Sequence, residues 1–159
     1  MTELKYDYAK KSDISELVRL RIAYIKSDQG EINDDDLISM TKQLSPYFKK
    51  HLNNDLIAFV ARTEDRIVST ALLLIVEKPA NPHFINGRVG EVLNVYTEEV
   101  YRNQGIATVL MRTLVEYATN NCLDRVDLSA TNDGYSLYKK IGFVDSESSY
   151  KKMLYMIEK

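Results

Sequence analysis

Two periods alternate along this chain, short apolar runs and stretches in which apolar residues recur every three or four positions, and together they mark out its elements. Leu4 to Tyr8 reads as a short strand. Asp13 then opens a helix with Glu16 three residues on, an aspartate version of the capping box, and Ile14, Leu17, Val18, Ile22 and Ile25 form its apolar face. A second helical stretch follows Asn33, with Leu37, Met40, Leu44, Phe48 and Leu52 at spacings of three and four. Ser45-Pro46 interrupts it and reads as an N-cap and first helical residue, so the pattern predicts two short helices at an angle.

Leu56–Arg62 and Ile67–Val76 are β-branched and aliphatic runs separated by the polar turn Thr63-Glu64-Asp65-Arg66, the pattern of an antiparallel hairpin. Lys78 to Arg88 holds two prolines with Asn81, Asn86 and Gly87 and reads as an irregular surface loop. Val89–Thr97 resumes as a strand, Ile106–Ala118 as a helix, Val126–Ala130 as a strand, Tyr135–Ile141 as a short helix and Lys152–Ile157 as a final strand. This order is that of a mixed α+β domain built on a central sheet.

Composition narrows the function classes. The chain has 159 residues, which predicts a single domain over 1–159, and 45% hydrophobic against 28% charged residues excludes a disordered class. Lys and Arg number 21 against 23 Asp and Glu, so no overall positive field favours nucleic acid or an anionic membrane, and any anion site must be local. The lone Cys122 cannot form an internal disulfide, and one Cys with two distant His builds no zinc cluster. The expectations are therefore a cytoplasmic protein with no metal, no nucleic-acid partner and no membrane partner.

The segment with chemical content runs from Gly90-Glu91-Val92-Leu93-Asn94-Val95-Tyr96-Thr97 through Arg102-Asn103-Gln104-Gly105-Ile106-Ala107-Thr108. A strand enters a turn whose glycine and alanine leave backbone amides uncovered at a helix start. Several free N–H groups backed by the helix dipole suit a diphosphate. No Lys-Ser/Thr follows the glycine and there is no G-x-G-x-x-G, so this is neither a P-loop nor a dinucleotide fingerprint.

Arg102-x-x-Gly105-x-Ala107 between a strand and a helix resembles the signature Arg/Gln-x-x-Gly-x-Gly/Ala of the Gcn5-related N-acetyltransferases, the GNAT superfamily. The strand ending Ser129-Ala130-Thr131-Asn132 and the segment Leu137-Tyr138-Lys139-Lys140-Ile141-Gly142-Phe143 extend the resemblance from about Gly90 to Phe143. The resemblance implies an α/β acyl-CoA N-acyltransferase fold, a central, mostly antiparallel mixed sheet flanked by helices. It implies transfer of acetyl from acetyl-coenzyme A (acetyl-CoA), as cosubstrate, to a primary amine by direct attack.

Carried over residue by residue, it implies that backbone amides of Gln104, Gly105, Ile106, Ala107 and Thr108, with Arg102 and Asn103 in the same turn, hold the pyrophosphate. Leu93 and Val95 would offer backbone groups to the pantetheine arm, Asn132 would contact that arm from the neighbouring strand, and the Val95 amide would polarise the acetyl carbonyl. Tyr138 falls where many members carry the acid that protonates the leaving thiolate, and also lies against the coenzyme. Glu91 lies where some members place a general base. Asn103 stands where glycine is frequent, and Val95-Tyr96-Thr97 lacks a proline often found there.

Each assignment has a plainer counterpart. Gly105 and Ala107 also permit close strand–helix packing, Arg102 also reads as an ordinary exposed arginine, Tyr138 as packing, Glu91 as a solvated strand residue, and Cys122 as packed at a helix end. The run Asp28, Glu31, Asp34, Asp35 and Asp36 reads as solvated charge and helix capping, or as an acidic rim for a cationic amine. Two rival functions stand beside the enzyme: a coenzyme A-binding sensor without catalysis, and an interaction domain. The acceptor is a small molecule or a peptide amine, and a homodimer through the final strand is a further expectation.

Overall fold

The computed structural model describes residues 3–159 and forms two compact units, one through Ser129 and one from Ala130 to Lys159. In the first, five strands lie side by side in chain order: β1 (Lys5–Tyr8), β2 (Leu56–Arg62), β3 (Ile67–Glu77), β4 (Arg88–Thr97) and β5 (Arg125–Asp127). The first four are antiparallel neighbours, and β5 runs parallel to β4. The crossover from β4 to β5 is α3 (Ile106–Asn120); α1 (Ile14–Gln29) and α2 (Asp34–His51) link β1 to β2. Mixed pairing with a single parallel edge is the sheet the GNAT resemblance implies.

Helices cover both sheet faces, which is why β2 and β3 read as unbroken apolar runs rather than alternating ones. Leu17 and Leu20 of α1 and Leu44 and Phe48 of α2 bury against Leu56, Ala58, Val60 and Leu72. On the opposite face Ile106 of α3 meets Ala61 and Val68, and Tyr117 sets its ring edge-on to Phe59 at 5.6 Å.

Several local expectations are corrected. Helix α2 is continuous through Pro46, not two helices. Leu44, Phe48 and Leu52 lie on one stripe buried in the core, and that burial outweighs the hydrogen bond the proline cannot donate. Asp13 precedes α1 without capping it. Its carboxylate instead accepts from the Lys10 amide at 2.8 Å and from Arg62 at 2.9 and 3.0 Å, while Glu16 turns to Arg19 and the Ile67 amide. Asn33 does cap α2, accepting from the Asp36 amide at 2.9 Å. Cys122 is exposed in a turn after α3 rather than packed. Strand β5 stops at Asp127, short of Ala130.

The second unit is built on α4 (Asn132–Ile141), which begins at Asn132 because the Thr131 hydroxyl caps it, accepting from the Gly134 amide at 3.2 Å. Gly142, with φ of 119°, closes the helix and lets the Gly142 and Phe143 amides reach the Tyr138 carbonyl. The final strand over 152–157 does not form. Met153, Leu154, Tyr155, Met156 and Ile157 are each at least 76% exposed. A strand needs a hydrogen-bonding neighbour, and this unit contains none; the run also lacks the alternation that would give it a water-facing side.

Candidate functional site

The site begins with the backbone of β4. Asn94 pairs with Leu72 and Val92 with Leu73, so Leu93 is an extra residue without a partner on β3, a β-bulge. On the other edge, β5 pairs only with Val89, Gly90 and Glu91. Beyond Glu91 and Asp127 the parallel strands part, and among the described residues no strand lies beside the β4 edge from Val92 to Thr97. Such an edge presents N–H and C=O groups to any extended amide-bearing molecule. Leu93 and Val95 both lie on it.

The strand then runs into the turn before α3. Glu98 fixes its entry: the carboxylate accepts from Arg19 at 2.7 Å and from Arg66 at 2.7 Å, and the amide donates to the Val68 carbonyl. Arg102 donates from Nε to the Thr97 carbonyl at 2.9 Å and lays its guanidinium over the Tyr96 ring at 5.6 Å. Its side chain thus ties the turn to the end of β4, a role neither sequence reading contained.

Asn103 and Gly105 both adopt left-handed backbone, with φ of 60° and 78°. Asparagine is the non-glycine residue that tolerates this best, which accounts for Asn103 at this position. Gly105 is the N-cap of α3 and no side chain caps that helix, so its first amides are left facing outward at the positive end of the dipole. A Cβ built on Gly105 would meet nothing within 4 Å, so the space beside the N-cap itself is open.

A different set of side chains gathers where α1 and α2 face the bulge. A cavity of about 590 Å³ is lined by Arg21, Tyr24, Ile25, Asp28, Met40 and Leu93, among others. Arg21 donates to the Leu93 carbonyl at 3.0 Å and makes a longer contact of 3.4 Å to Asn94 Oδ1, with its guanidinium 5.7 Å from the Tyr24 ring centre. Asn94 is 1% exposed and its Nδ2 has no partner among the described residues. Glu91 is exposed and pairs with Leu74, which packs with the α1–α2 core, so its side chain is on this same face. Burial raises the Tyr47 phenol above its ordinary pKa, the charges of Asp55 and Glu91 add to the shift, and Arg21 opposes it.

The expected residues therefore divide between the units. Glu91, Leu93, Val95 and the Arg102–Thr108 turn are all in the first, along one strand and the loop it feeds. Asn132 and Tyr138 are in the second. Asn132 is corrected from a strand position to the first residue of α4. Tyr138 is half-buried there, its ring 5.9 Å from that of Phe143 and close over Gly134, where a Cβ would come within 2.9 Å of it. Of the acidic run, Asp34, Asp35 and Asp36 occupy the first turn of α2, as capping predicts, and Asp28 lines the cavity. Arg21 and Asn94 are absent from the expected site, although Arg21 interrupts the apolar stripe of α1 at the spacing of Leu17, Val18 and Ile25.

Residues 19–143 match the family model described as the acetyltransferase (GNAT) family. The chain is similar to a predicted acetyltransferase of Clostridium acetobutylicum crystallised with acetyl-CoA, at 31% identity over 96% of each chain and a TM-score of 0.83. It shares its fold with a GCN5-related N-acetyltransferase from Ralstonia eutropha JMP134, at 18% identity, 95% and 99% coverage and a TM-score of 0.76. It also shares its fold with a ribosomal-protein-alanine N-acetyltransferase from Brucella melitensis biovar Abortus 2308, at 21% identity, 96% and 99% coverage and a TM-score of 0.67. No curated protein matches the chain.

Proposed function

The chain belongs to the GNAT family of acetyltransferases, and we propose that it moves the acetyl group of acetyl-CoA to a primary amine by direct attack. The observation that carries this reading is the unpaired β4 edge leading, through left-handed Asn103 and Gly105, to the uncapped start of α3. An amide-bearing arm fits the first and a diphosphate the second. We read residues 1–159 as one domain, since the family match runs across the boundary between the two units.

An amine with a pKa of about 10 must lose a proton before it can attack. Glu91, directly or through water, takes that proton. The nitrogen lone pair attacks the thioester carbonyl carbon, with the Val95 amide donating to the developing oxyanion. The new C–N bond forms, the C–S bond breaks, the thiolate of coenzyme A leaves with a proton from Tyr138, a role carried over from the family segment Leu137–Phe143, and the second proton shed by the acylated nitrogen restores the phenol. A cytoplasmic setting is supported by the single cysteine, and a homodimer by the exposed apolar run from Met153 to Ile157.

The test is thiol release from acetyl-CoA in the presence of primary amines, for the wild type, Glu91→Gln and Tyr138→Phe. Loss of an acid or base lowers kcat by about 100-fold or more. A Tyr138→Phe enzyme with unchanged kcat across pH refutes the acid. Binding of acetyl-CoA with no turnover of any amine turns the reading into that of a coenzyme sensor.

A further inference from the structure

We infer that the amine accepted at this site carries a carboxylate next to its nitrogen and an apolar side chain, in other words that the acceptor is an α-amino acid. This rests on the acetyl-transfer reading above. Arg21 is half-buried at the cavity wall, and among the described residues it has no carboxylate within ion-pair distance. Arg19 and Arg62, at similar depth, are each held by two carboxylates. A guanidinium withdrawn from water is costly without a counter-charge.

One corner of the Arg21 fork is used on the Leu93 carbonyl, leaving other donors of a group suited to bidentate carboxylate recognition. Beside it, the buried Asn94 amide has an unused Nδ2 donor. Leu93 is the bulge residue, one position from Asn94 and two from Val95, whose amide is the proposed oxyanion donor. An anion held at Arg21 therefore lies beside Leu93, two strand residues or about 7 Å along β4 from Val95, close enough for one small amino acid to reach both. Ile25, Met40, Leu44 and Leu93 supply the apolar part of a wall that also carries Asp28, Ser39 and Gln43. Polycationic amines would meet Arg21 as a like charge, with Asp28 the one carboxylate among the lining residues.

The transfer itself is unchanged: the amino acid's nitrogen gains the acetyl group, the thioester C–S bond breaks, and the displaced proton goes to the base. The experiment measures kcat/KM by thiol release with L-leucine, L-methionine and L-phenylalanine, with the α-amide of each, and with spermidine and kanamycin. The result expected is a preference for at least one acid over its amide of about 10- to 100-fold, the range for a hydrogen bond to a charged partner. Arg21→Gln should collapse that acid-to-amide ratio toward one, and Arg21→Lys, which keeps the charge but loses the fork, should leave part of it.

A merely structural Arg21 would lower both rates together and leave the ratio intact, which overturns the inference. So does equal use of acid and amide, or better use of spermidine or kanamycin; in those cases acetyl transfer stands. Turnover of none of these amines, with the thermal stabilisation by acetyl-CoA preserved, also overturns it. Absence of that stabilisation marks instead the failure of the acetyl-CoA reading beneath it. The wild-type comparison of acid with amide keeps the test decisive should the Arg21 variants not fold.

Discussion

Replacement of Gly105 separates the role of the turn before α3 from its contribution to the fold. Its φ of 78° is a conformation that costs an ordinary L-residue roughly 1–2 kcal/mol. Space adds nothing to that cost, because a Cβ there meets no atom within 4 Å. At roughly 2–4 °C per kcal/mol for a chain of this size, Gly105→Ala and Gly105→Glu should each melt about 2–8 °C below the wild type and remain folded. Acetyl-CoA at 100 times its Kd stabilises the wild type by about 2.7 kcal/mol. By the same conversion that is a rise of about 5–11 °C. Gly105→Glu puts a carboxylate where the amides of α3 would receive phosphate oxygens, and should lose this rise. Gly105→Ala, with only a methyl group, should keep part of it. Thermal melts of the three proteins with and without acetyl-CoA decide the matter. An undiminished ligand shift in Gly105→Glu refutes the placing of the pyrophosphate, and a fall well beyond 8 °C in Gly105→Ala refutes the claim that only backbone strain is at stake.

Two further predictions concern stability. Pro46 is exposed within a continuous α2, so Pro46→Ala restores a helix hydrogen bond at the cost of a more flexible unfolded chain, and should raise stability by about 1–3 kcal/mol in chemical denaturation; no gain would mean the helix is effectively broken there. Arg19 holds the Glu16 carboxyl below its ordinary pKa, as Arg62 does for Asp13. A depressed folded pKa gives stability that is present above about pH 4 and lost as each carboxylate protonates at lower pH. Glu16→Gln should therefore lower stability at neutral pH and flatten its acid decline, and an unaltered slope of Tm against pH would remove Glu16 from the account.

Local chemistry was enough to reveal much of this molecule. Apolar periods placed β2, β3, β4 and α3 within a few residues, because burial on both sheet faces or on one helix face leaves its mark on consecutive positions. The turn before α3 was legible for the same reason: a left-handed N-cap demands a residue such as Gly105, and that demand lies in the neighbouring backbone alone. Tertiary packing decided what local pattern could not. Whether Pro46 breaks α2 depends on the core that holds Leu44 and Phe48, and whether residues 152–157 become a strand depends on a neighbouring strand. The bulge at Leu93 is a matter of register with β3, and the meeting of Arg21 with the Leu93 carbonyl joins residues 72 positions apart. A charged residue on an apolar helix stripe was visible in the sequence; its partner was not, because only the packing of α1 across β4 brings the two together.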